Sequence, residues 1–210
     1  SNAKVGEIAL SNNGILFFDE LPHFSKSILE ALREPLEDNK ILISRVNSKI
    51  MYETKFIFVS AMNPCPCGNL LSSVKECKCN ELEIQRYKNR LSEPFLDRID
   101  LYVVMSDSFN DNKNIVSSKD LHDKVIKAFT KQKLRGQIEL NGKLSDSDIK
   151  KYCLLDLESE EILQKARHNY QLSFRSINKV LKVARTIADL NDNDLISKND
   201  LLQSLSFRKR

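Results

Sequence analysis

Apolar residues along this chain change their spacing once, and the change separates two kinds of structure. Through about the first hundred residues they come in short unbroken runs. Ile15-Leu16-Phe17-Phe18, bounded by Asn12-Asn13-Gly14 before and Leu21-Pro22 beyond, predicts a buried strand of a parallel sheet. Ser25 then predicts the cap of a helix reaching about Leu36, with Ile28, Leu29, Leu32 and Leu36 on one face. Ile41 to Arg45 and Ile50 to Thr54 flank Val46-Asn47-Ser48-Lys49 and predict a β-hairpin. Phe56 to Ala61 predicts a second apolar strand, and Ile99 to Val104 a short strand closing the core. From about Ser118 the spacing becomes helical. Leu121, Val125 and Phe129 recur with Ala128 alongside, and Ser145 predicts the cap of a short helix containing Ile149 and Leu154. Glu158 to Tyr170 predicts another helix. Ser173 opens one on which Ile177, Val180, Leu181, Ala184 and Ile187 form the buried stripe, and Ser197-Lys198-Asn199-Asp200 is a capping box for the last. The fold class is α/β: a core over residues 4–105, a polar linker over 106–118, and an all-α domain over 119–210.

Strand ends carry the first candidate chemistry. Asp19 and Glu20 stand at the C-terminal edge of the first predicted strand, where open α/β sheets bind their ligands. Apolar strand followed by Asp-Glu is the Walker B pattern of nucleotide hydrolases, in which Asp19 holds Mg²⁺ and Glu20 orients the attacking water. Taken alone, a solvated Asp-Glu at a strand end reads equally well. The matching phosphate loop, Gly-x-x-x-x-Gly-Lys-Ser/Thr, does not occur: of the five glycines only Gly142 precedes a lysine, and Lys143 is followed by Leu144. That loop belongs upstream of Walker B. Ser1-Asn2-Ala3 has the look of a tag-cleavage scar, so the chain is expected to begin inside a domain and to be a fragment of a longer protein.

Asn63, just past the second predicted strand, is placed to assist that water, although an Asn before Pro is by itself a turn residue. Arg98, between Asp97 and Asp100, reads on its own as part of a surface salt-bridge cluster. Following Walker B, a hairpin and Asn63, it reads instead as an arginine finger acting on a neighbouring subunit's nucleotide. Cys65-Pro66-Cys67 and Cys77-Lys78-Cys79 supply four thiolates, a set suited to a structural tetrahedral Zn²⁺. Two disulfides or four unligated thiols are the competing readings. Cys153 is expected to be core.

Composition adds little. The net charge of +4 permits an anionic partner without requiring one, and Lys and Arg are spread along the chain. No apolar run approaches a membrane span and no signal-peptide pattern occurs.

The segments Ala31-Leu32-Arg33-Glu34-Pro35-Leu36-Glu37-Asp38, Ala61-Met62-Asn63-Pro64-Cys65-Pro66-Cys67-Gly68 and Pro94-Phe95-Leu96-Asp97-Arg98-Ile99-Asp100-Leu101 resemble the magnesium-chelatase-like AAA+ family, and within it the ComM (YifB) competence subfamily. Ser173-Phe174-Arg175 and Leu181 to Leu190 extend the resemblance towards the C-terminus. It implies a truncated P-loop AAA+ core, a parallel-sheet remnant with a β-hairpin, followed by a helical lid. It also implies ATP and Mg²⁺ as cofactors, a cytoplasmic hexamer with no membrane partner, and ATP-driven remodelling of single-stranded and branched DNA. Asn63 then takes the sensor-1 position and Arg175 the sensor-2 position. Arg45 and Lys49 on the hairpin become DNA contacts, with a solvated hairpin as the plain alternative. The fragment alone is expected to be inactive. Two other readings stay open: a chelatase-type subunit, against which the cysteine run argues, and a zinc-bearing DNA-binding or assembly module without ATPase activity.

Overall fold

The structure, a computed structural model, describes residues 5–45, 48–105 and 116–208, with nothing recorded for the side chains of Arg45 and Ser48. The hairpin turn at 46–47, most of the expected linker (106–115) and the first residues of the chain lie outside the described residues. The rest is mixed α/β, with a small parallel sheet and a helical C-terminal part. It divides into two compact units, residues 5–99 with Met105, and residues 100–104 with 116–208.

In the first unit a short helix α1 (Glu7–Leu10) leads into β1 (Ile15–Phe18). The crossover that follows is helical. Ser25 accepts a hydrogen bond from the Ile28 N–H and caps α2 (Lys26–Ala31), and α3 (Arg33–Asp38) follows after a break at Leu32. One helix to Leu36 was expected; Pro35 explains the division, because it has no N–H to donate and its ring crowds the carbonyl four residues back. Leu29 and Leu32 are buried, whereas Ile28 is exposed. Asn39 ends α3 in the left-handed region, at φ 54°. The hairpin is β2 (Lys40–Arg45) and β3 (Ser48–Glu53), paired antiparallel from Lys40↔Glu53 to Arg45↔Ser48. Its connection is therefore two residues long, shorter than the four expected.

β4 (Ile57–Ser60) returns parallel to β1, with Leu16 beside Phe58 and Phe18 beside Ser60. One face of this pair packs on aromatic rings: Phe18 stacks on Phe24 at 4.2 Å, and Phe58 meets Phe95 edge-on at 6.2 Å. The other face, Ile15, Phe17, Ile57 and Val59, is exposed. The expectation of a buried strand thus holds for one face only, since an apolar run does not reveal how many sides are covered. α4 (Glu81–Lys88) and α5 (Glu93–Leu96) complete the unit. The segment from Ile99 to Val104 is not a strand. The Tyr102 N–H donates to the Phe207 carbonyl, and Val103 and Val104 lie exposed, so no ladder holds the segment extended.

In the second unit, α6 (Ser118–Leu134), α7 (Asp146–Tyr152), α8 (Leu157–Asn169), α9 (Phe174–Leu190) and α10 (Lys198–Ser206) surround a core of Ile149, Cys153, Leu163, Val180, Ala184, Ala188, Ile196 and Leu201. Leu121, Val125 and Phe129 on α6 remain exposed, and Ala128 and Gln132 are the residues turned inward. Gln132 earns its burial by accepting from the Asn141 N–H at 2.9 Å. Leu154 lies beyond the end of α7 and is exposed, contrary to expectation, whereas Cys153 is core. Arg185 and Asp189 on α9 are fully buried. Their network takes in Arg135, Asn141 and the carbonyls of Asn193 and Asp194.

Candidate active-site edge and cysteine cluster

Parallel pairing brings the C-terminal ends of β1 and β4 to one edge. Beyond the strands the two chains remain tied, with the Ala61 N–H donating to the Phe18 carbonyl and the Leu21 N–H donating to Ala61. Asp19 and Glu20 project from this edge and are exposed. Glu20 has φ 51° and ψ 48°, a left-handed conformation uncommon for a non-glycine residue. Its N–H donates to the Asp19 carboxylate at 2.9 Å. Asn63 follows Ala61 by two residues on the adjoining strand's continuation, and its side chain lies against Gly68. At φ 79°, Gly68 adopts a backbone that a side chain would strain.

Next to Asn63 the four cysteines converge. Their sulfurs all lie within 4.8 Å of one another, with Cys65–Cys67 at 3.5 Å and both Cys65–Cys77 and Cys67–Cys77 at 3.6 Å. Tetrahedral thiolates bound at about 2.3 Å to one Zn²⁺ stand about 3.8 Å apart, so the cluster has nearly the size such an ion needs. The separations far exceed a disulfide bond, and all four are free thiols. Backbone donors from Asn69 and Lys78 pull the Cys67 thiol down to about 6, while burial pushes Cys79 up to about 12.

A residue that sequence reasoning missed packs beside these parts. Tyr87 on α4 is 5% exposed. Burial raises its phenol, the Asn63 backbone opposes that, and the charges of Glu20 and Cys65 add to it. Its ring meets His23 edge-on, and Arg90 donates to the Pro22 carbonyl at 3.4 Å. α4 was legible in principle: Asn80 and Glu83 form a reciprocal capping box directly after Cys79.

Other candidates lie elsewhere. Arg98, its side chain 13% exposed, docks on α3, with Nε 3.4 Å from a Glu37 carboxylate oxygen and donating to the Arg33 carbonyl. It thus forms an ion pair with Glu37 on α3. Lys49 is exposed near the hairpin tip, opposite Ser44; the Arg45 side chain lies outside the described residues. Arg175 belongs to the second unit, exposed in the first turn of α9. Among the described residues no helix is long and apolar enough to cross a membrane.

Known proteins match along nearly the whole chain. Residues 1–113 match the family described as magnesium chelatase, subunit ChlI, and residues 116–208 match the ChlI C-terminal family. The uncharacterized protein YifB of Salmonella typhimurium is 40% identical over 97% of this chain and 40% of its own length. Competence protein ComM of Haemophilus influenzae is 39% identical over 98% of this chain and 41% of its own. DNA replication licensing factor mcm6 of Schizosaccharomyces pombe is 23% identical over 92% of this chain and 22% of its own. The chain spans about two fifths of the length of the first two relatives.

Proposed function

We propose, for a chain that belongs to the magnesium chelatase subunit ChlI family and is a ComM-like AAA+ protein, that it forms part of an ATP-driven motor that remodels DNA. The observation that supports the reading is the shared edge of β1 and β4, beyond which Asp19 and Glu20 follow β1 and Asn63 follows β4. Asp19 offers an exposed carboxylate, the hard oxygen donor that Mg²⁺ prefers, and would hold the ion. Bound Mg²⁺ neutralises charge on the nucleotide phosphates. Glu20 orients the attacking water and accepts its proton. Asn63 holds that water from the neighbouring strand. Arg98 serves a neighbouring protomer's nucleotide within a hexamer, and Arg175 also contacts nucleotide. Arg45 and Lys49 contact the DNA backbone. The four cysteines hold a structural Zn²⁺, for which their spacing is suited.

Phosphoryl transfer depends on a phosphate loop and its lysine for most of its positioning and charge stabilisation. These 210 residues contain no such loop, so by themselves they are expected not to hydrolyse ATP. A second reading, a zinc-bearing DNA-binding or assembly module without ATPase activity, draws its support from the cysteine cluster. Glu20→Gln in the full-length protein separates the two. The motor reading expects turnover to fall about a hundredfold or more while ATP remains bound. Unchanged Mg²⁺-dependent turnover in that variant refutes it.

A further inference from the structure

Contacts within the first unit fix the Arg98 side chain. Its Nε lies 3.4 Å from a Glu37 carboxylate oxygen and donates to the Arg33 carbonyl at 3.3 Å. Both of these contacts are part-buried, whereas Nη1 donates to the Pro94 carbonyl at the surface. A guanidinium has five N–H donors, more than these contacts use. Arg33 and Glu37 stand one turn apart on α3, so the carbonyl and the carboxylate share a face of the helix.

α3 is itself fastened from two sides. Its Pro35 carbonyl accepts from the Thr54 hydroxyl at 3.2 Å, and Thr54, fully buried, donates its N–H to the Asn39 carbonyl at 2.8 Å. Asn39 leads directly into β2 and Thr54 directly follows β3, so both strands at the base of the hairpin are tied to α3. On the other side, α2 holds the helix that leads to Arg98. Glu30 accepts from the Ser92 hydroxyl at 2.7 Å, and that hydroxyl accepts from the Phe95 N–H and caps α5. The Arg98 N–H in turn donates to the Phe95 carbonyl. The backbone on either side of the Arg98–Glu37 pair is therefore set by contacts in which the Glu37 side chain has no part.

We infer that Glu37 is a positioning residue, which holds the Arg98 guanidinium in place for a neighbouring subunit's nucleotide. This rests on the reading of Arg98 as the group that serves that nucleotide, and goes beyond it by naming the side chain that orders it. A long arginine side chain has many rotamers, and one ordered in advance loses less freedom when it meets a phosphate. Reacting groups are held to a fraction of an ångström by partners that lock them in this way. A part-exposed ion pair adds little to stability, so the loss of Glu37 is expected to show in turnover and hardly in folding.

The test uses the full-length protein with Arg98→Ala, Glu37→Ala, Glu37→Gln and Glu20→Gln. Arg98→Ala should lower kcat about a thousandfold, the scale of an arginine finger. Glu37→Ala keeps a good helix former in α3 and should lower kcat about five- to tenfold, with KM for ATP within about twofold and the denaturation midpoint nearly unchanged. Glu37→Gln, which keeps a hydrogen-bond acceptor, should fall between Glu37→Ala and wild type. Mixed assemblies give a readout that a purely structural role would not move. Glu20→Gln subunits turn over little themselves but bring an intact Glu37–Arg98 pair. Glu37→Ala subunits in an excess of them should therefore recover turnover towards that of wild-type subunits diluted in the same way, and so should Arg98→Ala subunits. Wild-type kcat in Glu37→Ala, or a loss that mixing does not restore, overturns the inference, while an impaired Arg98→Ala that mixing does restore leaves the finger reading standing. Full turnover in Arg98→Ala, or a loss there that mixing fails to restore, removes the finger reading and the inference with it.

Discussion

At the residue scale, burial decides what a group can do. Cys153 has the same side chain as Cys67, yet burial pushes its thiol up to about 11, whereas backbone donors bring Cys67 down to about 6. A thiol whose folded value lies above its unfolded value of 9.0 favours folding below pH 9 and loses that contribution as the pH rises towards 11. Unfolding measured between pH 9 and 11 should therefore show a steeper loss of stability in the wild type than in Cys153→Ala; parallel curves would deny the effect. Cys153 was readable as core from its apolar neighbours. Tyr87 was not, because α4 is short and half charged, and its inward face is fixed by tertiary packing such as the contact with the His23 ring. Asp19 and Glu20 were readable because a strand end puts its next residues at a predictable edge. The left-handed backbone of Glu20 was not, since nothing in its side chain asks for it.

At the element scale, local rules were the most legible. Ser25, Ser145, Ser173 and Ser197 each accept a hydrogen bond from the N–H three residues on, because a hydroxyl at that position satisfies a donor the helix cannot. What failed were inferences from apolar spacing to burial. The Leu121, Val125, Phe129 row has helical period, yet α6 turns its Ala128 side inward, because the polar contacts of Gln132 and Arg135 lie on that side. The Ile99 to Val104 run has no partner strand among the described residues. The strongest element-level constraint is the buried charge network of α9. Asp189 accepts from Arg185, Arg135 and Asn141, tying α6, the Asn141 turn and α9 together. Asp189→Ala would strand the fully buried Arg185 guanidinium, and should destabilise the protein by about 3–5 kcal/mol. Chemical denaturation reads this directly; a change below about 1 kcal/mol would mean that the charge finds water or another partner.

At the scale of the whole molecule, charge is too evenly spread to name a partner, so DNA contact must be argued from placement. The hairpin pairs Ser44 with Lys49 near its tip, leads into β4, and so couples an exposed cation to the strand that precedes Asn63. In the full-length protein, Lys49→Glu should weaken DNA binding and reduce the slope of log affinity against log salt by about one, while basal ATP turnover persists. Unchanged affinity across a salt titration would rule the hairpin out. The open face of the β1–β4 pair has a different consequence, for handling in solution. Ile15, Phe17, Ile57 and Val59 make a contiguous water-facing apolar tract, and a net charge of +4 spread over 210 residues gives little electrostatic repulsion to keep such tracts apart. That tract is therefore a place on the first unit where copies can adhere to one another at high concentration.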